Sequence, residues 1–436
     1  MSTPSLNSSQ GVVHEDAARD LYRKLVWRII PLLCFCYFFA YLDRVNVGLA
    51  KLQMLDALRF SETVYGLGSG LFFVGYIIFE VPSNLVLQKV GARMWIARIM
   101  ITWGILSGAT AFVATPTQFY IARFLLGVAE AGFLPGVLLY LSNWFPSARR
   151  GKIIALFMMG VPLSSLIGGP LSGWIMTGLD GAHGFGGWQW LFILEALPSV
   201  ALGAIVLAFM PNSAGTAPFL NDEERARLKF DLAGDAQSGR QHRMRDAFFN
   251  LKVWAVGLID LCVVLGTYVI SFWLPTIIRE SGVKSALVIG LLTAIPNALA
   301  VVMMLINGSM SDRFRERRWH IAVPFACAAF GLIASTMFTG NTAITIILLS
   351  IANAGVAAAM PVVWALPPTF LAGTAAAAGI AFMCSVANLG GFASTFLIGW
   401  LKDLTHSMSA GLITVGVIVL VGSLLALAMP KAIVNR

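Results

Sequence analysis

The chain has 436 residues, of which 58% are hydrophobic and only 12% charged, about half the ~25% charge of an average soluble domain. A water-soluble chain this apolar could not cover its own surface, so a soluble enzyme, a nucleic-acid binder and a disordered protein are poor readings. The net charge of +9 would suggest nucleic acid in a soluble chain; here its meaning depends on where the basic residues stand.

Residues 1–27 are polar, with Glu15, Asp16, Arg19, Asp20, Arg23 and Lys24. They read as a cytoplasmic segment and not as a cleavable leader. A membrane-crossing helix needs ~20 apolar residues. Such runs lie at 28–50, 63–88, 94–113, 117–141, 151–177 and 188–210, which make an N-terminal six-helix bundle over 28–210. A second set lies at 252–278, 285–308, 320–339, 343–364, 371–400 and 410–430, a C-terminal six-helix bundle over 252–430. Between them, 211–251 is the one long polar stretch, a cytoplasmic loop whose LNDEERARLKFDL portion (220–232) reads as a short surface helix. Residues 431–436 form a short cytoplasmic tail. The expected fold is therefore all-α and polytopic, with twelve spans in two halves.

With the spans placed, 23 of the 30 lysines and arginines fall on one side and five on the other. Basic residues mark the cytoplasmic side, so both termini and the central loop belong there. Two arginines remain, Arg44 and Arg123, both inside apolar runs. No basic excess is left for a nucleic-acid surface.

A charge inside a span costs ~2.5–3.5 kcal/mol on insertion scales and is a functional hypothesis by default. Span 1 carries Asp43 and Arg44; span 4 carries Arg123 and, two turns deeper on the same face, Glu130. At ~1.5 Å of rise per residue the two arginines reach similar depth. If both spans face one cavity, two guanidiniums and two carboxylates converge there. The planar guanidinium fork binds carboxylates bidentately, so an organic anion is the natural ligand. A carboxylate withdrawn from water binds a proton more readily, which makes Glu130 a candidate proton carrier. Asp43 would alternate between pairing with Arg44 and protonation.

Glu80, near the inner end of span 2 and one turn before Asn84, reads as a gate or packing residue. Glu195, expected near the interface beside Trp188 and Trp190, and Asp260 read as structural. Tyr41, Tyr76, Tyr268, Asn297, Trp364 and Asn388 could complete a cavity lining. The five cysteines fall in apolar runs and suggest no disulfide. No phosphate-loop motif implies ATP-driven pumping, no histidines are spaced as metal ligands, and no cofactor is expected.

The segments GSMSDRFRERR (308–318) and NLVLQKVGAR (84–93) occupy equivalent places after the second span of each half. The former resembles the loop signature of the major facilitator superfamily, with Asp312 and Arg313 at its centre. The latter keeps Lys89, Gly91 and Arg93 but has Asn84 where glycine is usual and Gln88 where aspartate is usual. The runs YLDRVNVGLA (41–50), RFLLGVAEAGFLPG (123–136) and NWFPSARRGK (143–152) resemble the anion:cation symporter family within that superfamily. That family includes transporters of galactonate, tartrate, phthalate and hydroxyphenylacetate. The resemblance implies Asp43 and Glu130 as proton-coupling carboxylates, and Arg44 and Arg123 as holders of the substrate carboxylate or organisers of the proton sites. It places Tyr41 and Tyr76 in the pocket, with Asn388 a looser match, and gives Asp312 and Arg313 gating roles, with a weaker gate at Asn84, Lys89 and Arg93 in the first copy.

The expectation is a monomeric bacterial inner-membrane symporter, not an enzyme, that moves protons and a small organic anion by alternating access. A sodium-coupled or exchanging carrier of the same fold is the first alternative. A membrane-embedded enzyme or sensor is another, but residues 211–251 supply no catalytic constellation.

Overall fold

The computed structural model describes residues 8–236, 251–367 and 373–430. The expected tail 431–436 and residues 237–250 of the central loop lie outside them. Within the described residues all regular structure is helical. Among the described residues, twelve helical segments are long and apolar enough to cross a membrane. Spans 1 to 6 are Arg19–Leu58, Glu62–Val90, Ala92–Phe112, Pro116–Ser142, Arg149–Gly178 and Gly187–Phe209. Spans 7 to 12 are Leu251–Glu280, Ala286–Phe314, Arg318–Ser335, Thr342–Trp364, Phe382–Thr405 and Met408–Ala428.

Short links reverse the chain between successive spans. An even number returns it to the side it left, called here the terminal side, opposite the far side. Helix starts on the far side are fixed by local chemistry. Ser61, Ser285 and Asn341 each accept a backbone N–H three residues on, which satisfies donors that a helix start leaves open.

The two halves pack by one pattern. Span 3 lies on span 6 and span 9 on span 12; span 2 lies on span 4 and span 8 on span 10. Between halves, span 2 meets span 11 and span 5 meets span 8, while span 7 meets the far end of span 1. Each contact maps onto its counterpart when the halves are exchanged, as parallel repeats require. Close helix approach needs small residues where there is no water to drive association. At the span 5–span 8 crossing, Gly169 and Gly290 stand so near that a Cβ on either would strike the other's backbone carbonyl or its neighbours.

On the terminal side, helix Asp222–Ala236 of the central segment docks on span 1. Lys24 donates to both Glu224 oxygens at 2.9 Å and Tyr22 to Asp231 at 2.8 Å, with Leu21, Leu25 and Leu228 buried. Burial opposes the Glu224 charge, but the Asn221 amide and the Lys24 ammonium outweigh it and hold this carboxyl below its usual range.

Candidate functional site

Glu130 ends the first helix of span 4, Pro116–Glu130, which begins on a capping box between Thr115 and Gln118. Beyond it the backbone leaves the helix: Ala131 has ψ 131° and Gly132 has φ +86°. A Cβ at Gly132 would collide with the Ser83 hydroxyl, and that φ favours glycine on its own account. Ser83 donates to the freed Ala131 carbonyl at 2.6 Å and accepts from the Trp95 indole at 2.9 Å. The break is thus satisfied within the protein, which irregular backbone at membrane depth demands.

The break places Glu130 against Arg44 of span 1. Arg44 Nη2 pairs with Glu130 Oε1, and Nη1 donates to the Tyr268 hydroxyl at 2.7 Å. Tyr268 lies on span 7, so one guanidinium is held by both halves at once. Around it stand the rings of Phe72, Tyr76 and Tyr41, with centroids 5.3, 5.5 and 5.9 Å from its carbon. The Tyr41 and Ser271 hydroxyls approach to 3.4 Å across the same interface. Arg44 Nε and Glu130 Oε2 are buried without a partner among the described residues. A second anion could therefore be received by this guanidinium, either beside Glu130 or in its place.

Arg123 is fully buried one layer behind. Its carbon lies 5.6 Å from the Phe72 centroid, and Nη2 donates to the Arg44 carbonyl at 3.4 Å. Nε and Nη1 have no partner among the described residues.

Asp43 departs from the expected convergence. Consecutive residues on a helix point ~100° apart, and this rotation carries Asp43 away from Arg44 into the N-terminal bundle. It is fully buried and accepts from Ser107 of span 3 at 3.1 Å and Ser199 of span 6 at 2.7 Å. Glu195, expected near the interface, is instead buried there too, accepting from Ser172 at 2.6 Å.

The remaining candidates distribute from the level of Arg44 towards the terminal side. Glu80, one turn below Tyr76, is buried and within electrostatic reach of Arg44. Asn84 donates to the Glu80 carbonyl at 2.8 Å. Asn388 shares a helix face with Gly391, which packs on Phe73. Trp364 sits at the terminal-side end of span 10 beside Asp260, well below Arg44. Arg93 is bound within its own half, its Nε donating to the Leu207 carbonyl at 2.6 Å. Lys89, Asp312 and Arg313 are exposed at span ends.

A far-side cluster went unread in the sequence. Lys51, 3% exposed, lies 2.5 Å from Glu62 Oε2 and 3.8 Å above the Trp273 ring. Lys402 bridges Glu62 at 2.6 Å and Glu280 at 2.5 Å, and Asp403 accepts the Thr63 amide at 2.7 Å. These contacts tie spans 1 and 2 to spans 7 and 11. Lys51 and Lys402 look like loop residues because they lie beyond the apolar runs, although their helices continue past them. The only available signal is the matched acid content of the opposing ends, Glu62 and Glu280.

The comparisons with known proteins agree on a family. Residues 33–395 match the family model described as Major Facilitator Superfamily. A Pseudomonas putida protein named for metabolite transport, NicT, is 56% identical over 97% of this chain and 98% of its own. An Agrobacterium vitis protein named for tartrate transport is 46% identical over 98% and 96%. An Acinetobacter baumannii protein named quinolone resistance transporter is 39% identical over 94% and 95%. Among solved structures, a bacterial homologue of the human lysosomal transporter Spinster matches with a TM-score of 0.76 at 14% identity, over 93% of this chain and 96% of its own.

Proposed function

The chain belongs to the Major Facilitator Superfamily of membrane transporters, and within it we propose a proton-coupled symporter that imports a small organic carboxylate by alternating access. The observation that carries this reading is Arg44, gripped by Glu130 of one half and Tyr268 of the other. A guanidinium already matched to a carboxylate is a carboxylate site. Protonating Glu130 removes its claim on Arg44, which then accepts the substrate anion. Loss of that proton returns Glu130 to Arg44 and expels the anion. Proton and anion thus move together. The relative named for tartrate transport supports a hydroxylated acid, and the Tyr41–Ser271 hydroxyl pair offers partners for its hydroxyl groups.

The excess of basic residues on the terminal side supports a bacterial inner-membrane protein with its termini in the cytoplasm. Polar contacts between the halves run from Arg44 to the far side, which supports a state closed to the outside. The protein acts as a monomer in this reading, each chain holding a complete site, with residues 28–210 and 252–430 as the moving bundles.

Binding tests it without a transport assay. Purified protein should melt at a higher temperature with at least one member of a carboxylate panel headed by tartrate, and Arg44→Gln should abolish that shift. Stabilisation that survives Arg44→Gln, or that only uncharged analogues produce, contradicts the reading. Stabilisation that requires sodium indicates a sodium-coupled carrier. The relative named for quinolone resistance favours one rival, drug export. It predicts efflux that is insensitive to competing small carboxylates.

A further inference from the structure

The buried charges of the N-terminal bundle do not balance. Arg44 is paired with Glu130 and also faces Glu80. That leaves Arg123, a group that stays charged, as the one counter-charge for two more carboxylates, Asp43 and Glu195. These two are neighbours. Ser199, which donates to Asp43, lies four residues after Glu195 on span 6, so both stand on one helix face a turn apart. Asp43 and Glu195 are within electrostatic reach of each other. They are 0% and 2% exposed.

The groups facing them are few. Asp43 meets Ser107 and the Trp103 indole of span 3, Ser199 of span 6 and Arg123 of span 4. Glu195 meets Ser172 of span 5, Asn46 of span 1 and Asp43 itself. Glu195 Oε2 is buried without a hydrogen-bond partner among the described residues. Neutral hydroxyls and one amide cannot offset a second full charge in a medium of low dielectric constant, and two carboxylates at close range do not both ionise.

We propose that Asp43 and Glu195 form a carboxyl pair that holds one proton between them, with Arg123 as its counter-ion, so that Glu195 takes a direct part in binding a proton. The proton is exchanged with water as H+, an O–H bond forming or breaking on one carboxyl and nothing else changing. The sequence gives Glu195 no such role, because its partner sits on another span and the serines between them are unremarkable in themselves. The inference goes beyond the proposed function, which places the coupling proton on Glu130, and the charge count needs neither substrate nor transport.

Infrared spectroscopy of the purified protein, without substrate, tests it by counting buried carboxylic acid groups through their C=O stretch at neutral pH. A shared proton predicts that Asp43→Asn and Glu195→Gln each lose one acid equivalent relative to wild type. The double variant should lose the same single equivalent and no more. Two equivalents lost by the double variant mean two separate protons, and no loss in either single variant means none; each result overturns the pair. Should the double variant not fold, carboxyl-13C labelling of aspartate or of glutamate in the wild type decides. A shared proton lets either label move part of one equivalent, whereas separate acids respond as whole equivalents. Failure here with intact binding at Arg44 would leave the proposed function standing, and loss of binding with an intact pair would do the reverse.

Discussion

In the proposed cycle Arg44 holds two different anions in turn, and its surroundings limit what could replace it. Lysine keeps the charge but not the planar fork. It cannot reach Glu130 and Tyr268 along two directions from one rigid group. Arg44→Lys should therefore weaken carboxylate affinity by ~10-fold or more, equal to ~1.4 kcal/mol, measured by isothermal titration. Tyr268→Phe removes one charge-assisted hydrogen bond made by the other half, and should cost about 1.5–3 kcal/mol of binding while leaving the N-terminal bundle intact. If Tyr268→Phe bound as the wild type does, the two halves would not be closing on a common ligand. At this scale the sequence was legible as an inventory and much less so as an arrangement. The cost of charge in lipid singled out Arg44, Arg123, Asp43 and Glu130 from residue type alone. The side each presents depends on helix rotation. That is why Asp43 was expected against Arg44 and is found against Ser107 and Ser199.

Among the elements, the broken span 4 sets the position of Glu130. Substituting Gly132 by alanine puts a side chain on a left-handed residue and against Ser83, at a strain cost of about 1–2 kcal/mol. A lowered melting temperature is expected, with carboxylate binding impaired because Glu130 is displaced. The far-side cluster ties spans 1 and 2 to spans 7 and 11, as a latch would. Lys402→Met removes the link between Glu62 and Glu280, and should favour opening on that side. Labelling of a cysteine introduced at Gln53 by an impermeant maleimide should then speed up relative to the same cysteine with Lys402 intact; unchanged labelling would show that the cluster holds nothing shut. On the terminal side the docked helix has a pH signature. The Glu224 pKa is depressed on folding, so its contribution is present above the ordinary glutamate range and lost as the pH falls through the lowered value. Screening keeps this small, under ~1 kcal/mol, and Glu224→Gln should flatten the acid limb of the melting profile. The spans themselves were well announced by hydropathy, most ends falling within a few residues. Span 1 was read as ending at residue 50, yet its helix runs to Leu58, because Lys51 is masked from lipid by Trp273 and Tyr65. Hydropathy scores such a lysine as the end of a span, since only tertiary contact reveals that it is covered.

The whole molecule combines two similar bundles with one dissimilar interior. The mirrored contacts, span 2 on span 11 and span 5 on span 8, provide two equivalent hinge surfaces for rocking. The buried charge is unequal, with the arginines and their carboxylates concentrated in the N-terminal half while the C-terminal half contributes Tyr268 and Ser271. That asymmetry suits a cycle in which one bundle holds the proton and the anion site and the other closes over them. Uptake into proteoliposomes of a carboxylate that stabilises the protein, driven by an imposed inward proton gradient, examines the coupling itself. The account predicts accumulation that collapses with a protonophore and is absent in Glu130→Gln, which should still exchange substrate across the membrane. Accumulation without the gradient, or undiminished gradient-driven accumulation by Glu130→Gln, would contradict it.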